Sequence, residues 1–227
     1  MKLMKSYHLF LTHKWLRVLI YLVYPIVLLL LFGYLGNAVA ASKLNTEANK
    51  HITTMLLCTL WDLIIGVELF SDILILGGIA AKDTNKLEYI KTSIKGMPIF
   101  RKSLIADGVR RFFSIAVIAG AGSIFCCPSD SLTDAFVAVM IVFFYAELGL
   151  IITRHFPHMT VIMLTFSALM AVMPPSITLI QKMPAGLEVI LSLLLAIAIS
   201  IIGRWLILKK TRDSYYDCRF EKSNENA

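Results

Sequence analysis

The sequence predicts an all-α membrane protein with six transmembrane helices, an interfacial helix ahead of them, and both termini in the cytoplasm. Three observations predict it. The 227 residues are 58% hydrophobic with a mean hydropathy of +0.75, whereas soluble domains hold roughly 45–50% apolar residues. The excess is gathered into stretches of about 20 residues, the length that crosses a hydrocarbon core of about 30 Å. The basic residues lie between those stretches and favour one side of the alternation.

The spans are expected at residues 18–41, 52–81, 112–127, 133–153, 159–180 and 186–208. Alternating sides put 19 of the 22 Lys and Arg on one face of the membrane and leave Lys43, Lys50 and Lys182 on the other. By the positive-inside rule the rich side is cytoplasmic. This pattern also accounts for the net charge of +7 and pI of about 9.3 without a nucleic-acid partner. The first apolar run is too long for a cleaved leader and is followed by five more.

Residues 1–17 are expected to form an amphipathic helix in the headgroup region. Leu3, Tyr7, Phe10 and Leu11 share a helical face, and Lys2, Lys5 and Lys14 fall mostly elsewhere. The long loop after the second span carries another helix, 83–95. Asp83 can cap it, Leu87, Ile90 and Ile94 repeat at helical spacing, and Lys86, Lys91 and Lys95 flank them. Gly96 ends it, and Pro98 starts a second helix that runs through Arg101 and Asp107 into the third span. The tail 209–227 is cytoplasmic, polar from residue 214 onward and expected to be frayed.

Ionisable groups within spans are costly and mark function or specific packing. The second span carries Asp62, Glu68 and Asp72, and the fourth carries Glu147. Glu68 and Asp72 lie about 40° apart on a helix and share a face, while Asp62 is turned about 120° from Glu68. The nearest bases are Arg17, Arg110, Arg111, Arg154 and Arg204, all near the expected cytoplasmic ends. Two roles stand side by side: packing through ion pairs, or lining a substrate path.

Motifs for chemistry are absent. No His-Glu-x-x-His and no Gly-rich Lys-Ser/Thr phosphate loop occurs. The aspartates do not make the cluster of a lipid-transferring enzyme. Cys58, Cys126, Cys127 and Cys218 match no zinc or redox spacing. No catalytic residue, metal site or cofactor is therefore expected in this chain.

The arrangement of interfacial helix, six spans and helical loop after span 2 resembles the membrane subunit of type-2 ABC exporters. The closest motif is Asp83-Thr84-Asn85-Lys86-Leu87-Glu88 followed by Met97-Pro98-Ile99-Phe100-Arg101-Lys102. The family tends to have an acidic segment, a short helix and Pro-x-x-Arg there. The resemblance implies that Asp83, Lys86, Leu87, Ile90, Ile94, Pro98 and Arg101 form a coupling element that docks on a separate ATPase. That partner would hold ATP and Mg, and the chain would dimerise with a second copy or a related chain. The resemblance also implies an outer re-entrant segment at 173–188, with Pro174 and Pro175 at an outer gate. The expected cargo is a hydrophobic or amphipathic peptide or a lipid-like molecule, and the expected location is the bacterial cytoplasmic membrane. Two alternatives remain: an ion-coupled transporter or channel using the acids of spans 2 and 4, and a non-transporting immunity or scaffold protein.

Overall fold

The structure is a computed structural model that describes residues 3–10, 14–41, 46–75, 96–126, 132–156, 158–181, 183–184 and 186–224. Every regular element among them is helical. They are α1 (Leu3–Phe10), α2 (Lys14–Val18), a π-helical turn (Leu19–Val23), α3 (Tyr24–Ala40), α4 (Thr46–Ile75), α5 (Gly96–Cys126), α6 (Leu132–His155), α7 (Met159–Gln181) and α8 (Leu187–Asn224). Five stretches are long and apolar enough to cross a membrane: Trp15–Val39, Ile52–Asp72, Leu132–His155, Met159–Ile177 and Leu187–Lys209. The expected third span is the second half of α5, whose first half is polar and carries Asp107, Arg110 and Arg111.

The bundle is built around α6. Some 72% of its most apolar stretch is buried, against 22–39% for the other four spans, and it packs on α4, α5, α7 and α8. Val137, Ile141, Ala146 and Leu150 of α6 meet Leu60, Ile64 and Leu69 of α4 and Ile115 and Ile118 of α5 in the main core. Small residues let helices approach closely in membranes. A Cβ at Gly149 would stand 2.9 Å from a methyl of Leu169 and 3.1 Å from one of Leu69. The outer faces of α3 and α8 carry exposed Ile, Leu and Val, as surfaces bathed in lipid do.

Three local features depart from expectation. The described part of the expected interfacial helix packs on protein rather than lying on lipid: α1 covers Leu3–Phe10, α2 runs from Lys14 through the π turn into α3, and residues 11–13 lie outside the described residues. Ser6 and Tyr7 are fully buried, and Tyr7 joins Ile20, Phe100, Leu104, Ala106 and Ile207 in a second core cluster. The reason is the first half of α5, whose Phe100 and Leu104 offer α1 a protein surface in place of the headgroup region. Trp15 is 85% exposed. The π turn has its own cause. The N–H of Tyr24 bonds to the carbonyl of Leu19, and the next residue, Pro25, has no N–H to continue the ladder.

Second, α7 is not broken at Pro174-Pro175 but runs on to Gln181. Beyond it the Met183 N–H bonds the Ile180 carbonyl, the Leu187 N–H bonds the Pro184 carbonyl, and α8 begins after Gly186 at φ +97°. Among its described residues the expected re-entrant segment 173–188 is thus the end of one helix, a turn at Gly186 and the start of the next. Prolines are tolerated in membrane helices where neighbouring groups compensate. Here Ser176 Oγ donates to the Met173 carbonyl at 2.7 Å, and Tyr145 Oη of α6 donates to Ser176 Oγ at 2.9 Å. Third, the polar tail continues α8 as helix to Asn224.

The docking of α1 is expected to respond to pH. Tyr21 Oη lies 3.4 Å from His8 Nε2, and Arg17 donates to the His8 carbonyl at 3.1 Å. Partial burial, and then the Arg17 charge, hold the imidazole below its ordinary range. The docked state therefore favours neutral His8. Its contribution is complete above the ordinary value of about 6.5 and is lost as the pH falls below it. Hydrogen exchange of residues 3–10, corrected for intrinsic rates, is expected to quicken at pH 5.5 relative to pH 7.5. His8→Gln should abolish that difference.

Candidate functional site

Seven ionisable side chains from three helices meet inside the bundle. Glu68 and Asp72 come from α4, Asp107, Arg110 and Arg111 from α5, and Glu147 and Arg154 from α6. Their spacing within each helix explains the convergence. Glu68 and Asp72 are four apart, Asp107 is three and four before the two arginines, and Glu147 and Arg154 are seven apart. Each set therefore lies along one helical face. The apolar residues around those faces drive the three helices together and bring the charges with them.

The pairing is dense. Arg110 grips Glu68 with both terminal nitrogens, at 2.6 and 3.2 Å, and lies 3.4 Å from Asp107. Arg111 donates to Glu147 Oε1 at 2.7 Å and to Asp107 Oδ2, and its Nε lies 3.4 Å from Glu68. Arg154 donates through Nε to Asp72 at 2.8 Å, bonds Asp72 again through Nη2, and reaches Asp107 at 3.2 Å. None of the seven side chains is more than 8% exposed. Asp107 is the hub, since all three arginines touch it.

Two-pronged guanidinium–carboxylate pairs are the strong members of their class. Even so, burying charges is expensive, and pairing roughly offsets the cost. The cluster is therefore not a large net source of stability. Its effect is specificity: rotating α4, α5 or α6 out of register would strand a charge in a dry interior. The carboxylates are already engaged by guanidinium groups, so the arrangement is suited to holding helices rather than attacking a substrate. Tyr7 of α1 closes over one side. Its Oη is buried with no hydrogen-bond partner among the described residues, and burial, then the charge of Asp107, raises its phenol well above the ordinary range.

Three of the four span acids expected either to pack through ion pairs or to line a path, Glu68, Asp72 and Glu147, are in this cluster. Asp62 is not. It stands higher on α4, half-buried, with Oδ1 enclosed and without a hydrogen-bond partner among the described residues. Pro98 and Arg101 lie exposed on the first turns of α5. Asp83, Lys86, Leu87, Ile90 and Ile94 lie outside the described residues. Pro174 is half-buried and Pro175 exposed, both within α7. Sequence reasoning missed Asp107 as a site residue and named the three arginines as the nearest bases for ion pairing without assigning their partners. The signal was there in Asp107-x-x-Arg110-Arg111, at helical spacing just ahead of an apolar run.

Compared with protein-family models, curated proteins and solved structures, the chain matches none of them. Fold and site define the class instead: a multi-pass helical membrane protein with a buried ionic knot joining three of its helices.

Proposed function

We propose that the chain is the permease subunit of an ATP-driven ABC exporter in a bacterial cytoplasmic membrane. It would cross six times with both termini inside, the sixth crossing being the second half of α5. Arg110 and Arg111, neutralised by their partners, would let that short apolar stretch sit deep enough to span. Two copies, or this chain and a relative, would enclose the path. A separate ATPase would bind ATP and Mg, and the cargo would be a hydrophobic or amphipathic peptide or lipid-like molecule.

One observation carries this reading. The helices on either side of the expected docking loop, α4 and α5, are bound to each other and to α6 by the ionic knot. A push on residues 83–95 would therefore move three helices as one body. Rigid-body motion of that kind is how helical domains change between two arrangements.

The test is to purify the tagged full chain in mild detergent from its native host, alongside Leu87→Asp/Ile90→Asp. The expected outcome is a soluble ATPase copurifying with the wild type and lost from the double variant, with the helical fold intact by circular dichroism. Absence of an ATPase under several gentle conditions overturns the reading. The ion-coupled alternative, which uses the acids of spans 2 and 4, then takes its place.

A further inference from the structure

A groove of about 470 Å³ runs along the outside of the bundle between α5, α6 and α8. That volume is within the range of roughly 300–1,000 Å³ found for small-molecule sites. Its walls are apolar, with Phe112, Phe143, Ile197 and Ile201 among them, and one end is formed by Gly108 and Arg204. Ile197 and Ile201 are exposed beside it, so the groove opens outward to where lipid lies. Arg204 is half-buried. Among the described residues no carboxylate is within ion-pair reach of it. Its guanidinium lies over Gly108, in space that a Cβ there would occupy.

The depth of Arg204 is marked by its neighbours. Trp205 is exposed, and Lys209 lies 5.4 Å from the centre of its ring. Exposed tryptophan and lysine near the end of a span sit at the headgroup level. The groove thus joins an apolar channel at acyl-chain depth to a cation at phosphate depth that has no ion-pair partner among the described residues.

We infer that this groove holds one phospholipid with an anionic headgroup, its phosphate against Arg204 and an acyl chain along α5 and α8. Charge decides for a lipid over a second copy of the chain. The described acids at this level, Asp72, Asp107 and Glu147, are turned inward and paired. A facing copy would have no carboxylate from them to offer Arg204. Gly108 contributes by leaving the guanidinium room to lie across the groove's end rather than stand away from it. The inference does not depend on the exporter reading, because it requires only that the bundle be in a membrane.

The test is native mass spectrometry of the detergent-purified full chain, titrated with phosphatidylglycerol and with phosphatidylcholine of the same acyl chains. Phosphatidylglycerol is expected to bind more tightly. Arg204→Gln should weaken it about fivefold, the size of one basic side chain's attraction for anionic lipid. Lys102→Gln, which removes an exposed charge elsewhere, should leave it unchanged. Gly108→Ala keeps the charge but displaces the flexible guanidinium, and should also weaken binding. Ile197→Trp, which narrows the channel, should weaken both lipids. Equal affinity for the two lipids overturns the inference, as does a Lys102→Gln effect equal to that of Arg204→Gln. Efficient disulfide-linked dimers of Ile197→Cys in membranes would overturn it too, by placing a second copy in the groove.

Discussion

Arg111→Met should cost about 3–5 kcal/mol of stability, the usual penalty for removing one partner of a buried ion pair. The side chain is 1% exposed and contacts Asp107 and Glu147 directly, with Glu68 near its Nε. Methionine fills much of the volume, so the loss is electrostatic. It strands carboxylates in an interior with no water to take over. The measurement is the midpoint of thermal aggregation in detergent, followed by size-exclusion chromatography. Arg111→Lys should retain part of the stability, since a single ammonium cannot serve both sides of the guanidinium fork. Arg111→Met combined with Glu147→Gln should be more stable than the two separate losses added together, because the pair is removed as a unit. If Arg111→Met melts with the wild type, the knot does not hold the helices in register.

Gly149→Leu should be nearly as damaging for a different reason. Even a Cβ at this position must displace methyl groups of Leu69 and Leu169, and both of those leucines are buried. Overpacking a tight core typically costs about 1–3 kcal/mol and sometimes more. A full leucine should fall at or above the top of that range by forcing α6 away from α4 and α7. The same melting measurement reports it. Adding Leu169→Ala should restore part of the loss, because it opens space on α7 next to the new side chain. No restoration would mean that Gly149 matters for something other than close approach.

The two substitutions probe different layers of what the sequence made readable. The spans were legible because bilayer thickness imposes a length on apolar runs. Expected and observed boundaries for α6 and α7 agree within a residue or two. The continuity of α5 was legible from Pro98 as a helix start and from helical spacing through Arg101 and Asp107. The shared face of Glu68 and Asp72 followed from the 100° step alone.

Ion pairing was among the expected roles, but which arginine meets which acid was not legible, for a physical reason. Counting charges along the chain tells on which side of the membrane a segment lies. It says nothing of how far three helices are rotated about their axes, and that rotation alone turns Arg110, Arg111 and Arg154 inward. Tyr7 was misjudged in the same way. A helix with one apolar face fits lipid or protein equally well until the projecting half of α5 is in place. At Pro174-Pro175 the error came from treating a local breaker as decisive. Ser176 and Tyr145, far apart in sequence, supply polar contacts along the proline-containing helix that no local rule could count.

The ionic knot also constrains the order in which the molecule can be made. Its charges come from three helices, and α6, the last to be synthesised, brings Glu147 for Arg111 and Arg154 for Asp72. Until α6 arrives, Arg110 can meet Glu68 and Arg111 can meet Asp107, but Asp72 lacks the close partner that Arg154 supplies. The end of α4 that carries Asp72 is therefore expected to settle fully only once α6 is in place. A nascent chain stalled before residue 132 would remain in that unfinished state, conspicuous to membrane quality control. Completion of α6 is thus the step expected to close the knot.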